Sequence, residues 1–380
     1  MQNLNSVAFV AKIENIVPIP GADNIEQALI GGWSCIVKKG AHSRGELVIC
    51  ATTDAIIPQT LADKMGVTGY LRSGTRVRTV KLRGVYSECL IIPLHYIKGK
   101  LTMGNPDVNE GDDVMEKLGI SKWEPPVKQI QLASGRKIRY SENPNFHVYY
   151  KFPNMKNVKG MFCEEDEVQI TRKLHGTNAR YGIVKKKKLS LWDRVKKFFG
   201  DEWADYEFVV GSHNVEKGSD SQGFYNTNVW YKIADDYKIK ESLWYYVKNV
   251  IANKEAIGSG IVVYGEIYGA GIQKNYEYGL KNIKFAAFDL TVNGVYFPTQ
   301  MALDEIIVFM ELPHVPVLYT GPWNQAIQDK YVFNNFIEGS KVPHEGVVVK
   351  HVSGERNKVA KVINPDYLIY GEKHDVGDSH

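Results

Sequence analysis

The chain has no run of about 18 apolar residues, the length needed to cross a bilayer as a helix. It also does not open on a basic stretch followed by an apolar core; Met1-Gln2-Asn3-Leu4 supplies neither, so no secretory signal is expected. Cysteine is scarce. Cys35, Cys50, Cys89 and Cys163 are scattered without CxxC spacing, which argues against a structural zinc site and suits a reducing compartment. Internal repeats are missing as well. Charge of one sign is in short supply: a net +4 over 380 residues does not mark nucleic-acid binding, so local clusters must carry that argument. What remains is an ordinary globular composition, 44% hydrophobic and 24% charged, in a chain long enough for two cores. A cytoplasmic location follows as the expectation, and a nuclear or virus-encoded protein would read the same.

Residues 1–124 read as a small β-rich domain. Val7–Ile13, Trp33–Val37, Leu47–Cys50, Arg76–Leu82 and Leu90–Leu94 are short strand-like runs, with a turn at Pro18-Ile19-Pro20-Gly21. Five strands at this spacing suit an OB-like β-barrel. Glu124-Pro125-Pro126 breaks the pattern, and residues 125–145 are polar enough for a linker. Residues 146–380 then read as a larger α+β domain. Its strands are expected around Ile170, Val209, Val263, Phe288 and Val348, and its helices near Glu241–Ala252 and Met301–Met310.

One insert stands apart. Lys185-Lys186-Lys187-Lys188 precedes Leu189–Phe199, in which Leu189, Trp192, Val195 and Phe199 approximate one helical face with lysines opposite. A solvated helix packed on the domain is the simplest reading, ahead of a clamp on a phosphate backbone and then a membrane-surface helix.

The chemistry concentrates in Lys173-Leu174-His175-Gly176-Thr177-Asn178. A lysine ends an alternating strand just before a glycine turn, where it projects beside bare backbone. Glu345-Gly346-Val347-Val348-Val349-Lys350 and Lys361-Val362-Ile363-Asn364 place further charges on apolar strands, costly unless a ligand needs them. A nucleophilic lysine must be neutral, yet its reference pKa is about 10.4. Nearby cations (Lys350, Lys361, a divalent metal) and desolvation lower it, and the same charges neutralise an α-phosphate under attack. Glu345 is a candidate ligand for hydrated Mg2+ or Mn2+. Glu266 sits between Gly265 and the strand end at Gly269, where glycines let a ligand approach the backbone. Phe288, in Phe285–Leu290, offers a face for a purine, although a core role for that ring fits equally well.

Each piece alone is weak; in this order they resemble the covalent nucleotidyltransferase superfamily of polynucleotide ligases and RNA capping enzymes. The KLHGTN hexapeptide resembles the first motif of RNA ligases, in which His175 stands where DNA ligases and capping enzymes usually have Asp. Glu266, Phe288-Asp289, Glu345-Gly346 and Lys361 match the later motifs. Pro18–Glu26, Gly32–Gly40 and Lys81–Ser87 resemble the amino-terminal OB module of the fifth RNA ligase family, typified by members from Deinococcus and Naegleria.

The resemblance implies an ATP-dependent RNA ligase: Lys173 attacks the α-phosphorus of ATP, the AMP passes to an RNA 5′-phosphate, and a 3′-hydroxyl displaces it, preferably across a nicked duplex or RNA/DNA hybrid. It also implies adenine on Phe288, ribose near Glu266, metal at Glu345 and Glu266, and phosphate contacts from Lys361 and Lys350. His175, Gly176 and Asn178 would line the nucleotide pocket. A monomer with no membrane partner is expected. Two departures stand out: Val359 occupies the place of a first lysine in the last motif, and Gly211-Ser212-His213-Asn214 replaces a more basic segment. A DNA ligase, a capping guanylyltransferase and a non-catalytic RNA-binding protein are the alternatives.

Overall fold

In the computed structural model the described residues are 6–71, 75–97, 101–102, 105–106, 108–123, 143–218, 228–251, 254–297 and 299–376. Two compact units divide the chain. The first holds residues 1–126, 153–163 and 360–373; the second holds 127–152, 164–359 and 374–380. Of the expected linker, residues 125–142 lie outside the described residues.

The first unit is built from short antiparallel strands. Ala8–Lys12, Leu47–Thr52 and Cys89–Ile92 form one sheet, and Asn15–Pro18, Ile25–Ile30 and Trp33–Lys38 form another. The alternation of Val7–Ile13 and Leu47–Cys50 becomes two-sided burial, because Phe9, Val48 and Cys50 face one cluster while Ala8, Val10, Ile49 and Ala51 face another. Arg76–Leu82 delivers less strand than its alternation predicts: Val80–Leu82 pairs in a hairpin with Val85–Ser87, and Arg76 makes a single antiparallel bridge to Ile56. The Arg76 side chain forms an ion pair with Asp54 and lies 3.5 Å over the Trp123 ring. The four cysteines are free thiols, three of them buried.

The second unit is α+β with antiparallel sheets. In one sheet, Glu167–Lys173 lies between Val317–Pro322 and Gly346–His351. The other is six-stranded, in the order Glu216–Lys217, Tyr206–Gly211, Thr177–Lys185, Gly260–Gly269, Ile283–Val292, Val295–Tyr296. Helices Val229–Asp236, Ile239–Tyr246 and Gln300–Phe309 contribute Trp230, Ile233, Leu243, Leu303 and Ile307 to a core shared with Tyr181, Ile183, Val263 and Phe285 of the larger sheet. The Glu241–Ala252 expectation resolves into the end of the Ile239–Tyr246 helix and a π turn over Val247–Ile251, with Ala252 outside the described residues. The strand Val359–Ile363 passes out of this unit at residue 360. Among the described residues no helix is long and apolar enough to cross a membrane.

The lysine-rich insert does form a helix, Leu191–Phe198, closed at its start by a reciprocal capping box between Ser190 and Asp193. Its packing differs from the simplest expectation. The polar side is tied to the domain by Lys186–Asp193 (2.6 Å) and Lys197–Asp205 (3.2 Å) ion pairs, and the apolar side faces solvent.

Candidate active site

Lys173 closes a strand of one sheet and Thr177 opens a strand of the other, so Leu174-His175-Gly176 carry the chain between the two sheets. This crossing needs a residue without a side chain. A Cβ on Gly176 would meet the Ile267 carbonyl oxygen at 2.2 Å and Glu266 Cγ at 3.0 Å. The turn is held from a third direction by the segment after the Gly260–Gly269 strand. His175 donates its backbone N–H to Tyr278 Oη (2.6 Å), its buried ring meets Tyr276 edge-on at 4.6 Å, and Gln273 Nε2 donates to the Gly176 carbonyl. Burial pushes the Tyr278 phenol well above its ordinary value, so it stays neutral in its hydrogen-bonding role.

Register places the nucleophile candidate opposite Gly346, the residue after Glu345. Gly346 adopts φ +151°, a setting that favours glycine, at the point where Glu345 enters the strand. There Lys173 Nζ and Glu345 Oε1 form an ion pair and hydrogen bond. Glu345 is buried at 8% exposure, and its second oxygen, Oε2, is buried with no hydrogen-bond partner. An orphaned carboxylate oxygen is costly where it stands, and a cation or donor from a ligand relieves that cost.

A second pair forms on the larger sheet. Asn178 and Glu266 are register partners on adjacent antiparallel strands, so their side chains share a face. Asn178 Oδ1 is likewise buried without a hydrogen-bond partner. Next to them the pairing slips: Tyr264 opposes Asp289 but Gly265 opposes Ala287, leaving Phe288 as the extra residue of a β-bulge. Bulges of this kind re-aim a side chain. The half-buried Phe288 ring meets Tyr149 edge-on at 5.0 Å.

Lys350, expected to touch phosphate, is committed elsewhere in this structure. It is buried, donates to the Phe288 carbonyl (2.7 Å) and pairs with Asp289 (3.5 Å). Burial pushes its pKa down while Asp289 opposes the shift. Asp289, fully buried, also accepts from Arg356 (2.6 Å) and from Tyr149 Oη (2.8 Å). The structure therefore brings Lys173 together with Glu345, Asn178 with Glu266, and Lys350 with Phe288. Lys361 belongs to the first unit, where its backbone N–H donates to the Pro153 carbonyl (2.9 Å).

Sequence reasoning missed Tyr276, Tyr278 and Gln273, which brace the turn, and Arg356 and Tyr149, which complete the shell of Asp289. The alternation Tyr276-Glu277-Tyr278 was the one available signal for the first group. Nothing local marks Arg356 or Tyr149. Their partner is 67 or 140 residues away along the chain.

Among the described residues no three His, Cys, Asp or Glu side chains are grouped to hold a metal. A Mg2+ ion held by one or two carboxylates with water and substrate phosphate does not require such a group. Glu345 meets the donor requirement through its unpartnered oxygen.

A family model described as RNA ligase matches residues 166–363, and one described as an OB-fold domain matches residues 7–94. Among solved structures, the chain is similar to a Naegleria gruberi RNA ligase variant with ATP and Mn. Their identity is 23% over 97% of this chain and 99% of the other, with a TM-score of 0.72. A second variant of that ligase, with AMP and Mn, is 24% identical over 98% and 99% of the two chains, again at 0.72. The same ligase with PPi is 22% identical over 98% and 99%, at 0.68. At these identities the likeness is one of fold: an OB-fold domain followed by a ligase nucleotidyltransferase domain. Comparison of the sequence with curated proteins gives no match.

Proposed function

From the premise that this chain belongs to the RNA ligase family, we propose that it is an ATP-dependent enzyme joining RNA 3′-hydroxyl and 5′-phosphate ends through a lysine–AMP intermediate. The observation that carries this reading is the Lys173–Glu345 pair at the crossing between two sheets, with one Glu345 oxygen buried and unpartnered. The complexes of the Naegleria ligase with ATP, AMP and PPi support the same chemistry, since these are the substrate and the two parts of an adenylyl transfer.

In the proposed first step the Lys173 amine, having shed its proton, attacks the α-phosphorus of ATP. A P–N bond forms, the bond to the β-phosphate oxygen breaks, and pyrophosphate leaves. The AMP is then transferred to an RNA 5′-phosphate, releasing Lys173, and the 3′-hydroxyl displaces AMP as the new phosphodiester forms.

Glu345 holds the lysine in place before the nucleotide arrives. Glu345, with Glu266, would hold a Mg2+ or Mn2+ ion, which would supply positive charge against the phosphates. Asn178 and Glu266 receive the ribose on the larger sheet, and Phe288 stacks on adenine, worth about 1–3 kcal/mol per base. Lys350 acts one step back, holding the Phe288 backbone, with Lys361 as the cation directed to the α-phosphate. His175 and Gly176 shape the floor of the pocket. The OB module belongs to the fifth RNA ligase family type, and the preferred substrate is a nicked duplex with RNA on the 3′-hydroxyl side. The protein acts as a monomer in a reducing, cytoplasmic setting, consistent with four free thiols.

The decisive experiment has two arms. Incubation with α-labelled ATP and Mg2+ or Mn2+ should place label on the peptide containing Lys173, and Lys173→Ala should abolish it. Sealing assays on nicks with an RNA or a DNA 3′ strand should show a preference for RNA. Label on another residue would overturn the mechanism, and equal or better sealing of all-DNA nicks would overturn the substrate.

A further inference from the structure

The helix Leu191–Phe198 is built the wrong way round for a helix whose purpose is to cover a core. At 100° per residue, Leu191, Trp192, Val195, Phe198 and Phe199 fall within an arc of about 120°. They are 79%, 73%, 42%, 86% and 81% exposed. Phe198 and Phe199 touch only edge-on, at 5.6 Å. Amphipathic surface helices normally turn such an arc inward, and an exposed apolar patch on a folded domain marks a contact site.

The opposite face explains why the arc stays outward. Asp193 pairs with Lys186, whose ammonium also donates to the Ala204 carbonyl (2.7 Å), and Lys197 pairs with the buried Asp205. These bonds fasten the polar side to the domain, so the helix presents one flat apolar face. On the same wheel Arg194 and Lys196, both exposed, flank the arc on its two sides. Lys188, also exposed, lies just before the helix.

We propose that this helix docks the protein on an anionic lipid bilayer, with the Leu191/Trp192/Val195/Phe198/Phe199 face in the headgroup–acyl boundary and Arg194 and Lys196 against lipid phosphates. An apolar face rimmed by cations is the pattern of interfacial helices, and each basic residue near such a surface adds to the attraction. Other occupants match less of it. A nucleic-acid strand could stack bases on Trp192, Phe198 and Phe199, but Lys186 and Lys197 are spent on aspartates and the same arc carries the aliphatic Leu191 and Val195, which suit an acyl boundary rather than a base. A second copy of the chain would bring Arg194 and Lys196 against their equivalents.

The test is co-sedimentation of the full chain with extruded vesicles of phosphatidylcholine alone and of phosphatidylcholine with 30 mol% (about a third) phosphatidylserine. Binding is expected to the second and to be at least about tenfold weaker to the first. The double variant Leu191→Ser/Phe198→Ser should lose binding at least about tenfold, because two exposed apolar side chains no longer enter the bilayer. Arg194→Ala/Lys196→Ala should lose about tenfold and remove the lipid-charge dependence. All these positions are exposed, so label transfer to Lys173 serves as the folding control and should be unchanged in each variant. Binding that ignores the apolar double variant overturns the proposal. So does an absence of binding to anionic vesicles by a protein that still labels. Loss of RNA affinity, or of self-association, in that variant while vesicle binding persists reassigns the face and also overturns it.

Discussion

Lys173 and Glu345 form an ion pair across 172 residues of sequence, and the carboxylate oxygen not engaged by the lysine is buried without a hydrogen-bond partner. The pair links the end of one strand to the start of its antiparallel neighbour, so neither group depends on a flexible loop for its position.

Replacing Glu345 by Ala should therefore separate binding from chemistry. Lys173 loses this ion pair and the proposed metal would lose a carboxylate, so lysine adenylylation should fall by at least about 10²-fold, the usual scale for removing one electrostatic element from such a site. Glu345→Gln should keep a hydrogen bond to Lys173 yet show nearly the same loss, because a neutral amide is a poor ligand for Mg2+ or Mn2+. Single-turnover labelling of Lys173 across metal concentrations measures both. Full activity in Glu345→Gln would remove the metal role.

Asn178 gives a prediction of opposite sign for stability and function. Its Oδ1 atom is buried without a donor in the ligand-free protein, so Asn178→Ala removes an unsatisfied acceptor. Thermal stability should stay the same or rise slightly, while nucleotide affinity falls by roughly 1–1.5 kcal/mol, about tenfold. Calorimetric melting with and without ATP reads both quantities. A variant that melts earlier without nucleotide would mean that Asn178 has a structural partner.

Gly176→Ala tests the crossing between sheets. The added methyl group would lie 2.2 Å from the Ile267 carbonyl oxygen, a backbone atom that cannot rotate aside. Relaxation must shift a strand, at a typical cost of about 1–3 kcal/mol. The shift would move Lys173 and Glu266 together, so labelling should fall more steeply than the melting temperature does.

How much of this was readable from the chain depends on the distance over which each feature is determined. The Glu167–Lys173 and Gly260–Gly269 strands and the Gln300–Phe309 helix follow from local alternation or periodicity, and they lie where that pattern puts them. The order of charged motifs also marked candidates, because a lysine or glutamate on an apolar strand demands an explanation, and Lys173 and Glu345 do meet in the structure. The Phe288 bulge was not legible: it depends on a slip between strands whose partners are decided by the whole sheet. For the same reason Lys350 reads from sequence as a free cation, although it pairs with Asp289, which is itself held by Arg356 and Tyr149 from two further segments. The insert helix was half legible, since periodicity gives its existence and its face but not the direction in which that face points.

The Asp193 cap gives the insert helix a defined response to acid. Hydrogen bonds from Lys186 and Ser190 hold the Asp193 carboxyl well below its ordinary value of 3.8. The folded value thus lies under the unfolded one, and the unfolded chain binds the proton first as pH falls. The stabilisation is complete above about pH 5 and is lost progressively as pH drops from there through the lowered folded value. Between pH 5 and 8 the helix should therefore keep a constant capped geometry, and vesicle binding measured across that range should not vary through this group. Asp193→Asn weakens the charge-assisted half of the capping box and releases Lys186; Ser190→Ala removes the other half and costs about 0.5–2 kcal/mol of local helix stability. Amide exchange at residues 191–198 should quicken in both variants while exchange in the Gly260–Gly269 strand stays slow. Equal protection of the helix in the wild type and both variants would show that its ion pair with Asp205, rather than the cap, fixes it to the domain.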